Sequence, residues 1–143
     1  MKALICYISY SGNTEEVAEL IEETLLSHNH EVELYRVGLS EGIPDFNNYD
    51  IAFLGTFTWG NGRVPSDMKD FIKEIGYKPD NIVLFGTGDT QFGGDLLFCG
   101  ALDKLKTFYD SKHEPLKIEQ SPRGQQEQEV IDWTEGVVRQ WKN

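Results

Sequence analysis

Ser9-Tyr10-Ser11-Gly12-Asn13-Thr14 follows the apolar run Ala3 to Ile8 and opens a helical pattern that begins near Glu15. A buried strand that turns directly into a helix leaves unpaired backbone N–H groups at the positive end of the helix dipole, which favours a bound anion. Small hydroxyls and the Asn13 amide surround those groups, and the loop itself contains no Lys or Arg. A triphosphate loop of the G-x-x-x-x-G-K-[ST] type needs its lysine, and a dinucleotide fingerprint needs three spaced glycines where this loop has only Gly12. A single terminal phosphate fits better. An ordinary Ser/Asn-rich helix cap uses the same residue types and is the alternative reading of this stretch taken alone.

Outward from that turn, apolar runs at Ala3–Ser9, Val32–Val37, Ile51–Gly55, Ile82–Gly86 and Leu116–Ile118 alternate with segments of helical spacing. Val17, Leu20, Ile21 and Leu25 mark the first helix, and Met68, Phe71, Ile72 and Ile75 the second. Ala101, Leu105, Phe108 and Tyr109 mark the third, and Val130, Trp133, Val137 and Trp141 the last. The first, third and fourth strands are nearly continuous apolar runs, as expected when helices cover both faces, so the pattern predicts a parallel three-layer α/β sheet. No linker or repeat divides it, and residues 1–143 are read as one domain. In such a sheet ligands bind beyond the carboxyl ends of the strands. Three loops are expected to converge there: Ser9–Thr14, then Thr56-Phe57-Thr58-Trp59-Gly60-Asn61-Gly62, then Thr87-Gly88-Asp89-Thr90-Gln91-Phe92-Gly93-Gly94. A phosphate cradle beside two glycine-rich loops bearing aromatics suits a flat ring system with a phosphorylated tail.

The formal charge of −11 argues against a nucleic-acid or anionic-membrane partner and favours a basic one. Glu15, Glu16, Glu19, Glu22 and Glu23 crowd the first helix, with Asp67 and Asp70 on the second. They read equally well as a solvated face or as a docking surface. The chain has no long hydrophobic span, and Met1-Lys2-Ala3 runs into the first strand without a secretory signal, so a cytoplasmic protein is expected. Cys6 and Cys99 lack a C-x-x-C spacing and are expected to be reduced. A monomer is expected because no long exposed apolar seam is evident.

These motifs together resemble the flavodoxins, small proteins that hold flavin mononucleotide (FMN) and carry electrons. Ser9–Thr14 matches the family's phosphate loop, Thr58-Trp59-Gly60 its first flavin loop, and Gly88-Asp89-Thr90 with Phe98-Cys99-Gly100-Ala101 its second. The resemblance spans essentially the whole chain. It implies a doubly wound five-stranded sheet of order 2-1-3-4-5, the order for which flavodoxin is itself the standard example. The last strand lacks the insertion of long-chain members, so the likeness is to the short-chain type. One departure stands out: family members commonly place a tyrosine after the second loop's acidic residue, where this chain has Phe92 and then the longer Gly93-Gly94-Asp95-Leu96-Leu97.

By resemblance, Trp59 and Phe92 stack on opposite ring faces and Asp89 accepts hydrogen bonds from the pyrimidine side or caps its turn. Thr56, Phe57, Thr58, Gly62, Thr87, Gly88 and Cys99 complete the expected cofactor set, with Thr90 as a supplementary contact. Gly60-Asn61 is read as a peptide that flips on one-electron reduction, so that a carbonyl accepts the new flavin N–H. Nearby carboxylates disfavour the anionic reduced ring and imply a low second potential. The implied role is one-electron carriage from a reductase of the flavodoxin/ferredoxin type to an acceptor oxidoreductase, without a substrate of its own. Two readings share the fold: a flavoprotein activator of manganese ribonucleotide reductase, suggested by Gly60-Asn61-Gly62, and a flavin-dependent quinone reductase. A cysteine phosphatase fails because Cys6 is followed six residues on by Gly12, and a receiver domain because the strand ends hold Ser9-Tyr10 and Thr56-Phe57. His28, His30 and His113 have no ligand constellation around them and are read as solvated turn residues.

Overall fold

The computed structural model describes residues 1–58, 62–88 and 99–141. The element order is β1 (Lys2–Tyr7), α1 (Asn13–Ser27), β2 (Glu31–Arg36), β3 (Ile51–Phe57), α2 (Ser66–Ile75), β4 (Ile82–Gly88), α3 (Gly100–Tyr109), β5 (Leu116–Glu119) and α4 (Gln125–Trp141), with a short 3-10 turn at Phe46–Asn48. All strand pairs are parallel, in the order β2-β1-β3-β4-β5. This is the expected doubly wound three-layer sheet.

Side chains alternate across the sheet with a period of two, so each central strand feeds two cores. Ile5 and Tyr7 of β1, Phe53 of β3 and Phe85 of β4 face Val17, Ile21 and Leu25 of α1 and Val130 and Val137 of α4. Leu4 and Cys6, Leu54 and Leu84 face Met68 and Phe71 of α2 and Leu102 and Leu105 of α3. That double burial is why β1, β3 and β4 read as unbroken apolar runs. β2 lies at the sheet edge with Glu31, Glu33 and Leu34 exposed. The last helix is fastened through its indoles: Trp133 Nε1 donates to the Glu114 carbonyl at 2.9 Å and Trp141 Nε1 to the Asp50 carbonyl at 3.0 Å.

β3 and β4 run two residues further than their apolar runs suggest. Thr56 pairs with Gly86 and Phe57 with Thr87, and Thr58 N–H continues the ladder to the Thr87 carbonyl at 3.1 Å. The close approach requires Gly86, where a Cβ would lie 2.0 Å from the Thr56 carbonyl oxygen. The paired ends of β1, β3 and β4 therefore reach one edge of the molecule together.

Candidate FMN site

At the end of β1 the chain is held against β3 by Ile8 N–H to the Gly55 carbonyl at 3.1 Å, then turns through Ser9–Gly12 into α1. Ser9 is buried, and its hydroxyl oxygen accepts from Gly12 N–H at 3.1 Å and Glu15 N–H at 3.4 Å. Gly12 caps the helix at φ 95°, left-handed geometry that strains other residues, with no atom within 4 Å of where a Cβ would stand. Gly12 itself brings no capping side chain, and the Ser9 hydroxyl at Glu15 N–H takes that part. The Asn13 and Thr14 N–H groups have no acceptor within the helix, as the first turn of any α-helix dictates. The Ser11 hydroxyl and Asn13 side-chain amide bond no other described residue. Open donors, small side chains and the helix dipole make a set that fits one phosphate group.

The neighbouring strand ends are tied to this loop. Thr14 and Thr87, 1% and 3% exposed, share a hydrogen bond of 2.9 Å between their hydroxyls. Thr56 is buried and donates to the Phe57 carbonyl at 2.9 Å. Thr58 accepts from Ala101 N–H at 3.3 Å, which caps the first turn of α3. Cys99 sits just before that helix at φ 52°, fully buried, and burial pushes its thiol up to about 12. The Phe57 ring packs against the Tyr10 ring at 4.9 Å between centroids, and the Tyr10 hydroxyl donates to Asp67 at the start of α2. Gly62 is buried and Gly88 closes β4.

The sequence pattern that defines the flavodoxin family matches residues 5–112. The chain belongs to the flavodoxin family. Flavodoxins bind FMN and transfer electrons rather than turning over a substrate. Probable flavodoxin 2 of Bacillus subtilis (strain 168) is 34% identical over 140 residues, covering 92% of this chain and 91% of that protein. Oxidised flavodoxin 2 from Bacillus cereus has the same fold, with a TM-score of 0.82 at 30% identity over 98% of this chain and 99% of that one. Oxidised flavodoxin 1 from Bacillus cereus gives a TM-score of 0.85 at 25% identity over 97% and 98% of the two chains.

Of the expected flavodoxin site residues, the structure gathers Ser9, Tyr10, Ser11, Gly12, Asn13, Thr14, Thr56, Phe57, Thr58, Gly62, Thr87, Gly88 and Cys99 around one edge. Trp59, Gly60, Asn61, Asp89, Thr90 and Phe92 lie outside the described residues. Within the gathered set the buried hydroxyls of Thr14, Thr56 and Thr87 are spent on protein partners, so they brace the site. Arg36 and Tyr7 escaped the sequence reading, and Glu15 entered it only as part of the acidic face of the first helix. Arg36 ends β2, pairs in register with Tyr7, and donates to Glu15 Oε2 at 2.7 Å and to the Ser9 carbonyl at 2.8 Å. The strand order was the available signal, since placing β2 beside β1 sets Arg36 next to the loop.

Of the histidines, His28 is the exposed turn residue expected, whereas His30 is buried and His113 half-buried. His28 pairs with Glu135 at 2.7 Å, and His30 is a buried side chain whose Nδ1 lies 3.0 Å from the amino terminus. The His113 ring packs against Trp141. No metal-ligating cluster occurs among the described residues. Cys6 and Cys99 are free and buried, and no described helix is long and apolar enough to cross a membrane.

Proposed function

We propose that this flavodoxin is a low-potential one-electron carrier that holds FMN non-covalently and shuttles electrons between a basic reductase and acceptor enzymes in the cytoplasm. The observation that carries the reading is the open donor set of Ser11, Asn13 and the first turn of α1, fixed beside the ends of β3 and β4. Ser9–Thr14 would hold the phosphate, and the loops after β3 and β4 the ring. Bound FMN supplies the one-electron chemistry. The protein's residues orient the ring, exclude water from it, and set the charge around it. A formal charge of −11 supports both a low potential and docking to basic partners at rates that fall with salt.

The test is reconstitution with FMN followed by stepwise photoreduction without oxygen. Reduction in two resolved one-electron steps is the expected outcome. A direct two-electron reduction would overturn the carrier reading in favour of a quinone reductase. Gly60-Asn61-Gly62 supports a second reading, activation of a manganese ribonucleotide reductase. That reading predicts a specific complex between the reduced protein and the reductase subunit, which a plain electron carrier does not form.

A further inference from the structure

We infer that Arg36 is a positioning residue for the phosphate cradle, fixing the Ser9–Tyr10 peptide and neutralising Glu15 so that α1 can accept a phosphate dianion. The inference rests on the reading that Ser9–Thr14 holds the FMN phosphate.

Arg36 stands on a rigid base. Its carbonyl accepts from Leu39 N–H at 3.1 Å and Ser40 N–H at 2.9 Å, and its own N–H donates to Ser40 Oγ at 2.9 Å, so the turn after β2 closes on it. From there the guanidinium fork divides its donors between two targets. Nη2 holds the Ser9 carbonyl at 2.8 Å. Because a peptide unit is planar and trans, holding that carbonyl also sets the direction of the Tyr10 N–H on the same unit. Nη1 holds Glu15 at 2.7 Å, and the Tyr7 hydroxyl donates to the same carboxylate oxygen at 3.3 Å. The guanidinium carbon lies 5.9 Å from the Tyr7 ring centroid.

The electrostatics explain why the pairing matters for a ligand. Glu15 and Glu16 occupy the first turn of α1, where carboxylates gain from the helix dipole but compete with any second anion for the same field. A phosphate brought to Gly12–Thr14 would meet that negative charge at short range. Arg36 cancels the Glu15 share. The pair is only partly exposed, with side chains 25% and 35% accessible, so solvent screens it less than a free surface pair. A purely structural staple between β2 and α1 would use the same contacts but would not distinguish a flavin with a phosphate from one without.

Riboflavin lacks the phosphate and serves as the control ligand. Flavin fluorescence titrations of the apoprotein compare FMN with riboflavin in wild type, Arg36→Met, Glu15→Gln and the double variant. Arg36→Met should weaken FMN by about tenfold while riboflavin changes by less than about twofold. Glu15→Gln, which leaves Arg36 charged and unopposed, should tighten FMN about threefold and leave riboflavin unchanged. The double variant should recover much of the FMN affinity lost in Arg36→Met. Equal losses for both ligands in Arg36→Met, or no FMN gain in Glu15→Gln, would overturn the inference. Glu15→Gln keeps the outcome decisive should Arg36→Met fold poorly. Wild type binding riboflavin as tightly as FMN would instead overturn the phosphate reading of the loop, and the inference with it.

Discussion

Thr14 and Thr87 hold a buried polar pair that ties the start of α1 to the end of β4. Replacing Thr87 by Val keeps the shape but strands the Thr14 hydroxyl, which should cost about 1–3 kcal/mol in urea unfolding of the apoprotein. Thr14→Val should cost a similar amount. The double variant should cost less than the sum, because two apolar groups leave no orphaned donor. Additive losses would show that each hydroxyl has another partner. At this scale the sequence made some roles legible and concealed others. Gly12 and the small polar residues of the loop announce a helix entry that can take an anion, since their effect is local. Arg36 gives no such signal: its partners stand 21 and 27 residues away, and only the pairing of β2 with β1 brings them together. The Thr14–Thr87 pair, 73 residues apart, was hidden for the same reason.

Among the elements, apolar runs located the strands well and their ends less well. β3 and β4 continue past Gly55 and Gly86 because Thr56 and Thr87 are buried despite being polar, and runs of hydrophobicity stop at such residues. The entry to α1 comes at Asn13, ahead of the apolar stripe, because its first turn is made of polar residues, of which Thr14 is buried through its bond to Thr87 rather than by apolar packing. The 3-10 turn at Phe46–Asn48, which buries Phe46, left no periodic mark in so short a span. The extended β3–β4 junction depends on Gly86. Gly86→Ala would set a methyl group against the Thr56 carbonyl, where backbone rather than a flexible side chain must yield. The expected loss is at least about 2 kcal/mol of stability, from overpacking that moves backbone. The displaced junction carries Thr58 and Thr87, so FMN and riboflavin affinities should fall together, unlike the selective FMN loss of Arg36→Met. Unfolding curves and flavin titrations on the same preparation check both parts; retained riboflavin affinity would show that the junction does not position the ring loops.

Taken as a whole, the molecule sets a strongly acidic surface around two cores that contain ionisable groups kept neutral by burial. Burial pushes the Cys99 thiol from 9.0 to about 12 and the Tyr109 phenol from 10.0 to about 12, and it raises the Cys6 thiol further still. These groups keep their protons in the folded state at pH values where the unfolded chain has lost them. The unfolded state then binds fewer protons, so stability falls as pH rises. Their contribution is fully present below pH 9.0, where both states are protonated, and is lost progressively as pH climbs through the window toward about 12. Growing negative charge on an already acidic chain pushes the same way. Urea midpoints of the apoprotein should therefore change little between about pH 7 and 8 and drop steeply by about pH 10.5. Removing one buried thiol isolates its share of the decline. Cys99→Ala should lower stability at neutral pH through lost packing yet flatten the alkaline decline, because surface charge is unchanged while one buried proton no longer counts. An equally steep decline in Cys99→Ala would remove Cys99 from the account and leave the alkaline weakness to Tyr109, Cys6 and surface repulsion.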